Sequence, residues 1–292
     1  MIIVELSGGL GNQMFQYAIG RTLSLKYKVE LKLDLNRLLD RSPRKNFIFR
    51  DYDLSIFNIV EDFANKDEIN NLKFYYTGGF FDKLINKFIY RKSSHVLEDS
   101  LNYNPKYLDI PDNSYLSGYF QSENYFINSL ETIKQDFTLK SNPSEKVLSL
   151  ESEIMNSNSI AINVRRTDFV LNNFHGTCEI DYFSKAVSLI LNYIQNPTFY
   201  IFSDDLDWCK NNLRFNSKII FVEHKYYAGS KFEDYFRLMK SCKNFIIPNS
   251  SFAWWAAYLS ENNKKIVITP KKWNNCANYN SDSIIPKNWL KV

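Results

Sequence analysis

The side chains best able to do chemistry fall in four short clusters, each at the end of a predicted strand. Asn163-Val164-Arg165-Arg166-Thr167-Asp168 closes an apolar run that begins at Ile160. Paired arginines suit a phosphate, because a planar guanidinium donates two parallel hydrogen bonds to it. On an extended chain Arg165 and Arg166 point to opposite sides. One can face a ligand while the other pairs with a carboxylate such as Asp168; alternatively both form structural ion pairs. Phe202-Ser203-Asp204-Asp205-Leu206-Asp207 contains a DxD, Asp205 and Asp207, of the kind that holds a divalent cation on a nucleotide diphosphate. Ser203 followed by acids also reads as a helix cap with an acidic first turn, which is the preferred reading.

Ser7-Gly8-Gly9-Leu10-Gly11-Asn12-Gln13 follows the first apolar strand. Gly9 and Gly11 give a GxG, but the third glycine of a dinucleotide fingerprint would fall at Met14, and no GK[ST] is present. The glycines let backbone N–H groups approach an anion at a helix start, or simply make a tight strand-to-helix turn. In Asn249-Ser250-Ser251-Phe252-Ala253-Trp254-Trp255, two hydroxyls open an Ala- and aromatic-rich helix. That is a nucleotide cradle or an ordinary cap, with the tryptophans as core. Upstream, Glu233-Asp234 lies on a predicted helix. A carboxylate there could accept the N–H groups of guanine; otherwise it belongs to a solvated helix face.

The elements that position these clusters read as α/β. A strand over Ile2–Leu6, a glycine turn and a helix lead to Val29, Leu31 and Leu33, which alternate with charged residues as a half-solvated strand does. Residues 41–136 are less regular. A strand-like stretch at Tyr115–Gln121 precedes a predicted helix over 124–135. The turn-rich Lys140-Ser-Asn-Pro-Ser-Glu segment divides the chain into 1–142 and 143–292. Beyond it, strands are expected at 159–165, 198–203, 218–222, 244–247 and 265–269 with helices between them, a mostly parallel sheet covered on both faces. Such sheets bind ligands at the carboxyl ends of their strands, which is where the clusters lie.

Composition sets the outer limits. The 292 residues carry 36 basic and 32 acidic side chains, too even a balance for a dedicated nucleic-acid binder. Residues 1–140 hold 18 of each sign and the remainder 18 against 14, so the excess of +4 lies entirely in the second half. That points weakly to an anionic ligand there. Aromatic residues make 16% of the chain, ample for a large core and inconsistent with disorder. Cys178, Cys209, Cys242 and Cys276 are scattered and form no metal pattern, as expected of buried thiols in a reducing compartment. The start of the sequence lacks the basic, apolar form of a secretory leader, and no stretch has the length of a membrane span, so a cytoplasmic protein is expected.

Together the clusters resemble a known family. The motifs GGLGNQMFQYA at 8–18, VRRTD at 164–168, HGTC at 175–178, FSDDLDWCK at 202–210, LMKSCKNFII at 238–247, NSSFAWWAAYL at 249–259 and IIPKNWLKV at 284–292 are similar to those of the bacterial α-1,2-fucosyltransferases, glycosyltransferase family 11. More distantly they resemble the α-1,6- and protein O-fucosyltransferases. The resemblance covers both ends and nearly all of the second half, and is loose from 41 to 110.

It implies a GT-B-like α/β fold of two Rossmann-like lobes with the donor site in the cleft between them. Residues 1–142 would form the acceptor-side lobe and 143–292 the donor lobe, with the extreme C-terminus returning to the first. The implied activity is inverting transfer of L-fucose from GDP-fucose to the 2-hydroxyl of a terminal galactoside in a bacterial surface glycan such as O-antigen lipopolysaccharide. No metal and no cofactor beyond the donor would be needed, and peripheral contact with the inner membrane would bring the enzyme to its acceptor. By the same resemblance Arg165 binds the β-phosphate, with Arg166 beside it. Gly9, Gly11 and Asn12 approach the donor from the first lobe, Asp234 reads guanine, and Ser250, Ser251 and Phe252 line the nucleotide pocket. Tyr119 and Tyr125, with Phe120, are expected to stack on acceptor sugar rings.

Departures bear on the donor. Asn163 stands where the family has His, keeping a hydrogen-bond donor but not the charge, so another GDP-deoxyhexose is an alternative donor. A non-catalytic carbohydrate- or nucleotide-binding protein on the same scaffold is the reading from another class. For the general base, Asp168 beside two arginines is the better orienter. His175 has the suitable intrinsic pKa, and Glu179 and Asp181 are further candidates.

Overall fold

A computed structural model describes residues 1–43, 48–73, 94–167, 176–275 and 279–292. They form two compact units, Met1–Thr138 and Leu139–Val292.

The first unit is built on four parallel strands, β1 (Ile2–Glu5), β2 (Leu31–Asp34), β3 (His95–Leu97) and β4 (Ser114–Ser117), in the order β2-β1-β4-β3. Its helices are α1 (Leu10–Tyr27), α2 (Asn36–Leu39), α3 (Lys66–Leu72) and α4 (Leu130–Asp136). Helix α1 packs Met14, Phe15, Ala18, Ile19 and Leu23 into the core. Gly20 permits the close approach, since a Cβ there would lie 2.3 Å from Val4 Cγ2 and 2.8 Å from Leu31 Cδ1. The strand expected to reach Gln121 stops at Ser117, because Phe120 turns into the left-handed region at φ 49°. The helix expected over 124–135 is broken as well. Short 3₁₀ turns at Glu123–Tyr125 and Ile127–Ser129 precede α4, separated by Phe126, which is buried with ψ near 4°.

The second unit alternates strand and helix. In chain order it contains α5 (Glu145–Asn156), β5 (Ser159–Val164), α6 (Ile180–Ile190), β6 (Thr198–Ser203), α7 (Leu206–Asn212), β7 (Lys218–Val222) and α8 (His224–Tyr227). There follow α9 (Glu233–Lys240), β8 (Asn244–Ile246), α10 (Ser251–Leu259), β9 (Val267–Thr269) and β10 (Leu290–Lys291). All six strands pair in parallel in the order β10-β9-β8-β5-β6-β7. The extreme C-terminus supplies β10 to this sheet.

Side-chain alternation gives the sheet two distinct faces. Ile160, Ile162 and Val164 of β5 pack with Phe183, Val187 and Ile190 of α6 and with Cys209 and Leu213. Ala161, Asn163 and Arg165 therefore project to the opposite face. That face is covered by α5 and α9, through Tyr200 to Ser157 and Phe202 to Tyr235. Among the described residues no helix is long and apolar enough to cross a membrane.

Candidate functional site

In the second unit the chain leaves β5 to one side for β6 and β7, then returns to the other side for β8, β9 and β10. Connections at the carboxyl ends of β5 and β8 diverge, and such a switch point is where a crevice opens in an open parallel sheet. Three of the predicted clusters meet this edge: Arg165 to Thr167 after β5, Asp204 and Asp205 after β6, and Asn249 to Phe252 after β8.

Asp204 organises the first two clusters. Its Oδ2 lies 3.1 Å from Arg165 Nη1 and accepts the Thr167 hydroxyl at 2.7 Å, while Oδ1 accepts the Arg166 backbone N–H at 2.9 Å. One carboxylate thus holds three successive residues. Sequence reading passed over it because the partners are 38 residues apart. Only the parallel register of β5 on β6, Val164 opposite Ser203, brings them together. Arg166 turns to the other face and lies over the Trp208 ring at 4.2 Å. Its Nε is 3.8 Å from Asp205 and its Nη1 4.0 Å from Glu179, and neither nitrogen makes a hydrogen bond. Asp168 and His175 lie outside the described residues.

The DxD resolves as a cap, with a shift of residue. Asp205, not Ser203, caps α7 by accepting the Trp208 N–H at 3.0 Å, and Ser203 Oγ accepts the Asp205 N–H at 2.9 Å. No group of three or more His, Cys, Asp or Glu placed to hold a metal occurs among the described residues.

On the Arg165 face, Glu233 and Asp234 open α9 and are both buried, so the solvated-face reading fails. Burial pushes the Glu233 carboxyl up. The Ser230 hydroxyl and the backbone N–H groups of Glu233 itself, Ser230 and Lys231 outweigh this and hold it at about 2. Gly229, at φ +78°, lets this loop close over the carboxylate; an added Cβ would stand 2.7 Å from Glu233 Cδ. Asp234 takes Arg237 Nε at 3.2 Å, and Arg237 Nη2 donates to Ser141 O at 2.6 Å. Ser250 caps α10 through Ala253 N at 3.4 Å, Ser251 begins the helix half-buried, and Phe252 packs edge-on to Phe236 at 5.3 Å. Asn163 donates Nδ2 to Phe202 O at 3.1 Å. A carbonyl cannot face an amide oxygen, so Oδ1 points away; it is buried and unpartnered.

The first unit has its own switch point at β1 and β4. Gly8 turns at φ +76° and Gly9 precedes α1 with open space where a Cβ would lie. Amide side chains tie the surrounding loops together. Gln13 donates to Gly8 O and Asp51 O and accepts from Asp53 N, each at 2.9 Å. Gln16 spans Ser7 and Gly118 O, and Asn12 Oδ1 accepts from Gln121. Gly11 is buried in the first turn of α1.

The three aromatic residues expected to meet acceptor sugars differ in burial. Tyr119 is half-buried and lines a cavity, whereas Tyr125 and Phe120 are buried. Tyr125 packs on Tyr103, Tyr107 and Phe120, and its hydroxyl accepts the Asn104 N–H at 2.9 Å. It has no free ring face for a sugar and is a core residue.

Residues 99–292 match the description of glycosyl transferase family 11. An α-1,2-colitosyltransferase of Escherichia coli is 31% identical, with 100% of this chain and 99% of that protein covered. The O-antigen biosynthesis glycosyltransferase WbnK of Escherichia coli is 30% identical over 98% and 99%. In fold, the chain is similar to NodZ α-1,6-fucosyltransferase soaked with GDP-fucose, at a TM-score of 0.50 and 15% identity over 89% of this chain and 91% of that one.

Proposed function

This chain belongs to glycosyltransferase family 11, and we propose that it transfers L-fucose from GDP-fucose, with inversion, to the 2-hydroxyl of a terminal galactoside in a bacterial O-antigen. The observation that carries the reading is the placement of Arg165 after β5 and of the Ser250-capped start of α10 after β8, at the carboxyl ends of two neighbouring strands. A guanidinium and the positive end of a helix together suit a leaving diphosphate. The acceptor oxygen bonds to the anomeric carbon as the bond from that carbon to the phosphate oxygen breaks. The hydroxyl proton passes to a base on the 168–181 segment, for which Asp168, His175, Glu179 and Asp181 are the candidates. Arg165 and main-chain N–H groups neutralise the departing GDP, and Asp205, engaged as a helix cap, is left out of phosphate binding.

A second donor, GDP-colitose, is favoured by the relative named for colitose transfer and by Asn163 at the centre of the edge. Colitose is L-fucose without its 3-hydroxyl. Side-by-side assay of both donors on a β-galactoside, with and without EDTA, separates these readings. Transfer should survive chelation and fall at least 100-fold in Arg165→Ala. Absence of transfer from either donor would remove the enzymatic reading, and loss on chelation would restore a metal.

A further inference from the structure

Arg166 carries the same charge as its neighbour Arg165, yet its surroundings are of another kind. The guanidinium carbon lies 4.2 Å from the centre of the Trp208 ring. Asp205 stands 3.8 Å from Nε and Glu179 4.0 Å from Nη1, beyond hydrogen-bond reach. Both nitrogens are buried and make no hydrogen bond. The main chain is held directionally instead, by the Arg166 N–H to Asp204 Oδ1 at 2.9 Å.

The partners come from two helices. Glu179 immediately precedes α6 and Asp205 immediately precedes α7, so the cation sits between two helix starts. The two carboxylates offset the positive ends of those helices, which alone would repel a guanidinium. Trp208 lies in the first turn of α7 and packs against the apolar cluster on the α6 side of the sheet, and its own N–H is held by Asp205. Glu179 also accepts the Thr177 hydroxyl. Arg166 thus joins the end of β5 to the starts of α6 and α7, on the face opposite to Arg165. A phosphate ligand must present its N–H groups at an open surface. The Arg166 side chain is 17% exposed, and its Nε and Nη1 contribute none of that surface.

We propose that Arg166 is a positioning residue, acting on the donor through Arg165 rather than by touching it, and that Trp208 is its anchor. Successive side chains of an extended chain point to opposite sides, so seating Arg166 on Trp208 turns Arg165 to the other face. Asp204 completes the lock, holding the Arg166 N–H with one oxygen and Arg165 Nη1 with the other at 3.1 Å. Trp208, on the far side of the sheet from Arg165, thereby becomes a determinant of diphosphate binding. An arginine over a tryptophan face is worth a factor of roughly 3 to 30 in an equilibrium constant. The inference rests on the GDP-sugar reading for its ligand.

Calorimetry with GDP and GMP tests it, because by the family resemblance Arg165 meets the β-phosphate, which GMP lacks. Arg166→Met and Trp208→Leu should each raise the GDP Kd about tenfold and leave the GMP Kd within about twofold. The double variant should match either single one, since both break the same contact. Arg166→Lys keeps a cation for the ring and should lie within about threefold of the parent. Trp208→Phe keeps the packing with a weaker ring face, so a rise of about threefold is expected even where the leucine variant does not fold. Added to Arg165→Ala, with ligand-observed NMR following the weaker binding, neither Arg166→Met nor Trp208→Leu should cost anything more. A further loss on adding Arg166→Met to Arg165→Ala would make Arg166 a direct phosphate ligand and overturn the inference. An unchanged ratio of GDP to GMP affinity in the single variants would overturn it too, as the mark of a merely structural contact. A parent protein that binds neither nucleotide would reject the proposed function together with this inference, whereas GDP binding with additive effects would reject the inference alone.

Discussion

Replacing Asp204 should weaken donor binding by an amount that can be worked from its contacts. Asp204→Ala removes the Arg165 ion pair at 3.1 Å, the Arg166 N–H bond at 2.9 Å and the Thr167 hydroxyl bond at 2.7 Å. The pair is only partly shielded, with Arg165 29% and Asp204 18% exposed in their side chains. Each contact is therefore set below the usual range for charged hydrogen bonds, at about 1 kcal/mol, and the three together near 2–3 kcal/mol. If that order is needed to present Arg165, the cost appears on binding as about a 30- to 150-fold rise in the GDP Kd. Asp204→Asn keeps one oxygen for the Arg166 N–H and loses the charge, so about tenfold is expected. Calorimetric titration with GDP, beside steady-state kinetics, reads the effect; kcat/KM for the donor should fall in parallel in both variants. The opposite result is physically possible, since a carboxylate on Arg165 competes with a phosphate. Tighter GDP binding in Asp204→Ala would refute the positioning role and make Asp204 a competitor.

Other consequences are nearer to stability. Glu233 is held at about 2 against an ordinary 4.5, so its stabilisation is complete above pH 4.5 and is lost as pH falls from there towards 2. The integrated effect is about 3 kcal/mol, so the stability gap between the parent and Glu233→Gln should narrow below pH 4.5; a gap constant from pH 3 to 7 would contradict this. Tyr125→Ala should cost about 3–5 kcal/mol in denaturant unfolding as a core truncation, whereas Tyr125→Phe loses one hydrogen bond, about 1 kcal/mol. Burial lifts Cys178 to about 12, Cys209 to about 11 and Cys242 well above its ordinary value. None of these three thiols should react with a disulfide reagent at pH 8 before unfolding, which mass spectrometry of the labelled native protein would check.

The second sheet was legible because β5, β6, β8 and β9 are buried on both faces and its strands read as continuous apolar runs. Thr198–Ser203 and Lys218–Val222 coincide with their expected bounds. β3 was not foreseen, since three residues, two half-buried and one exposed, cannot display an alternation. Arg165 and Ser250 could be picked out because a charged or hydroxyl residue directly after an apolar run marks a strand end. Asp204 could not be tied to Arg165, because that contact depends on which strands are neighbours. The burial of Tyr125 and Asp234 was equally hidden, as residue type alone does not say which side of a turn or helix faces the core. One signal was available and unused: the run Gln13 to Gln16 places two long amides one turn apart on α1, suited to bracing the loops at its N-terminus.

Both units brace their strand ends with charged side chains, as Arg37 and Lys73 do on Glu5 and Glu98 does on the 118–120 loop, and the first adds a set of neutral amides. In the first unit the loops around β1 are tied by the neutral amides of Gln13, Gln16, Asn12 and Gln121. In the second, charged groups do this work: Asp204 on Arg165, Asp234 on Arg237 and Glu233 on its own loop. A diphosphate site needs an arginine held ready, and a carboxylate can hold it without spending the backbone N–H groups that a phosphate also uses. Residues 1–140 are neutral overall and the excess of +4 lies beyond them, in the unit that carries Arg165. Exchanging the braces tests it. Arg237→Met, which strips Asp234 of its partner, should raise the GDP Kd and spare galactoside binding, whereas Gln16→Leu, which frees the Gly118 loop, should do the reverse.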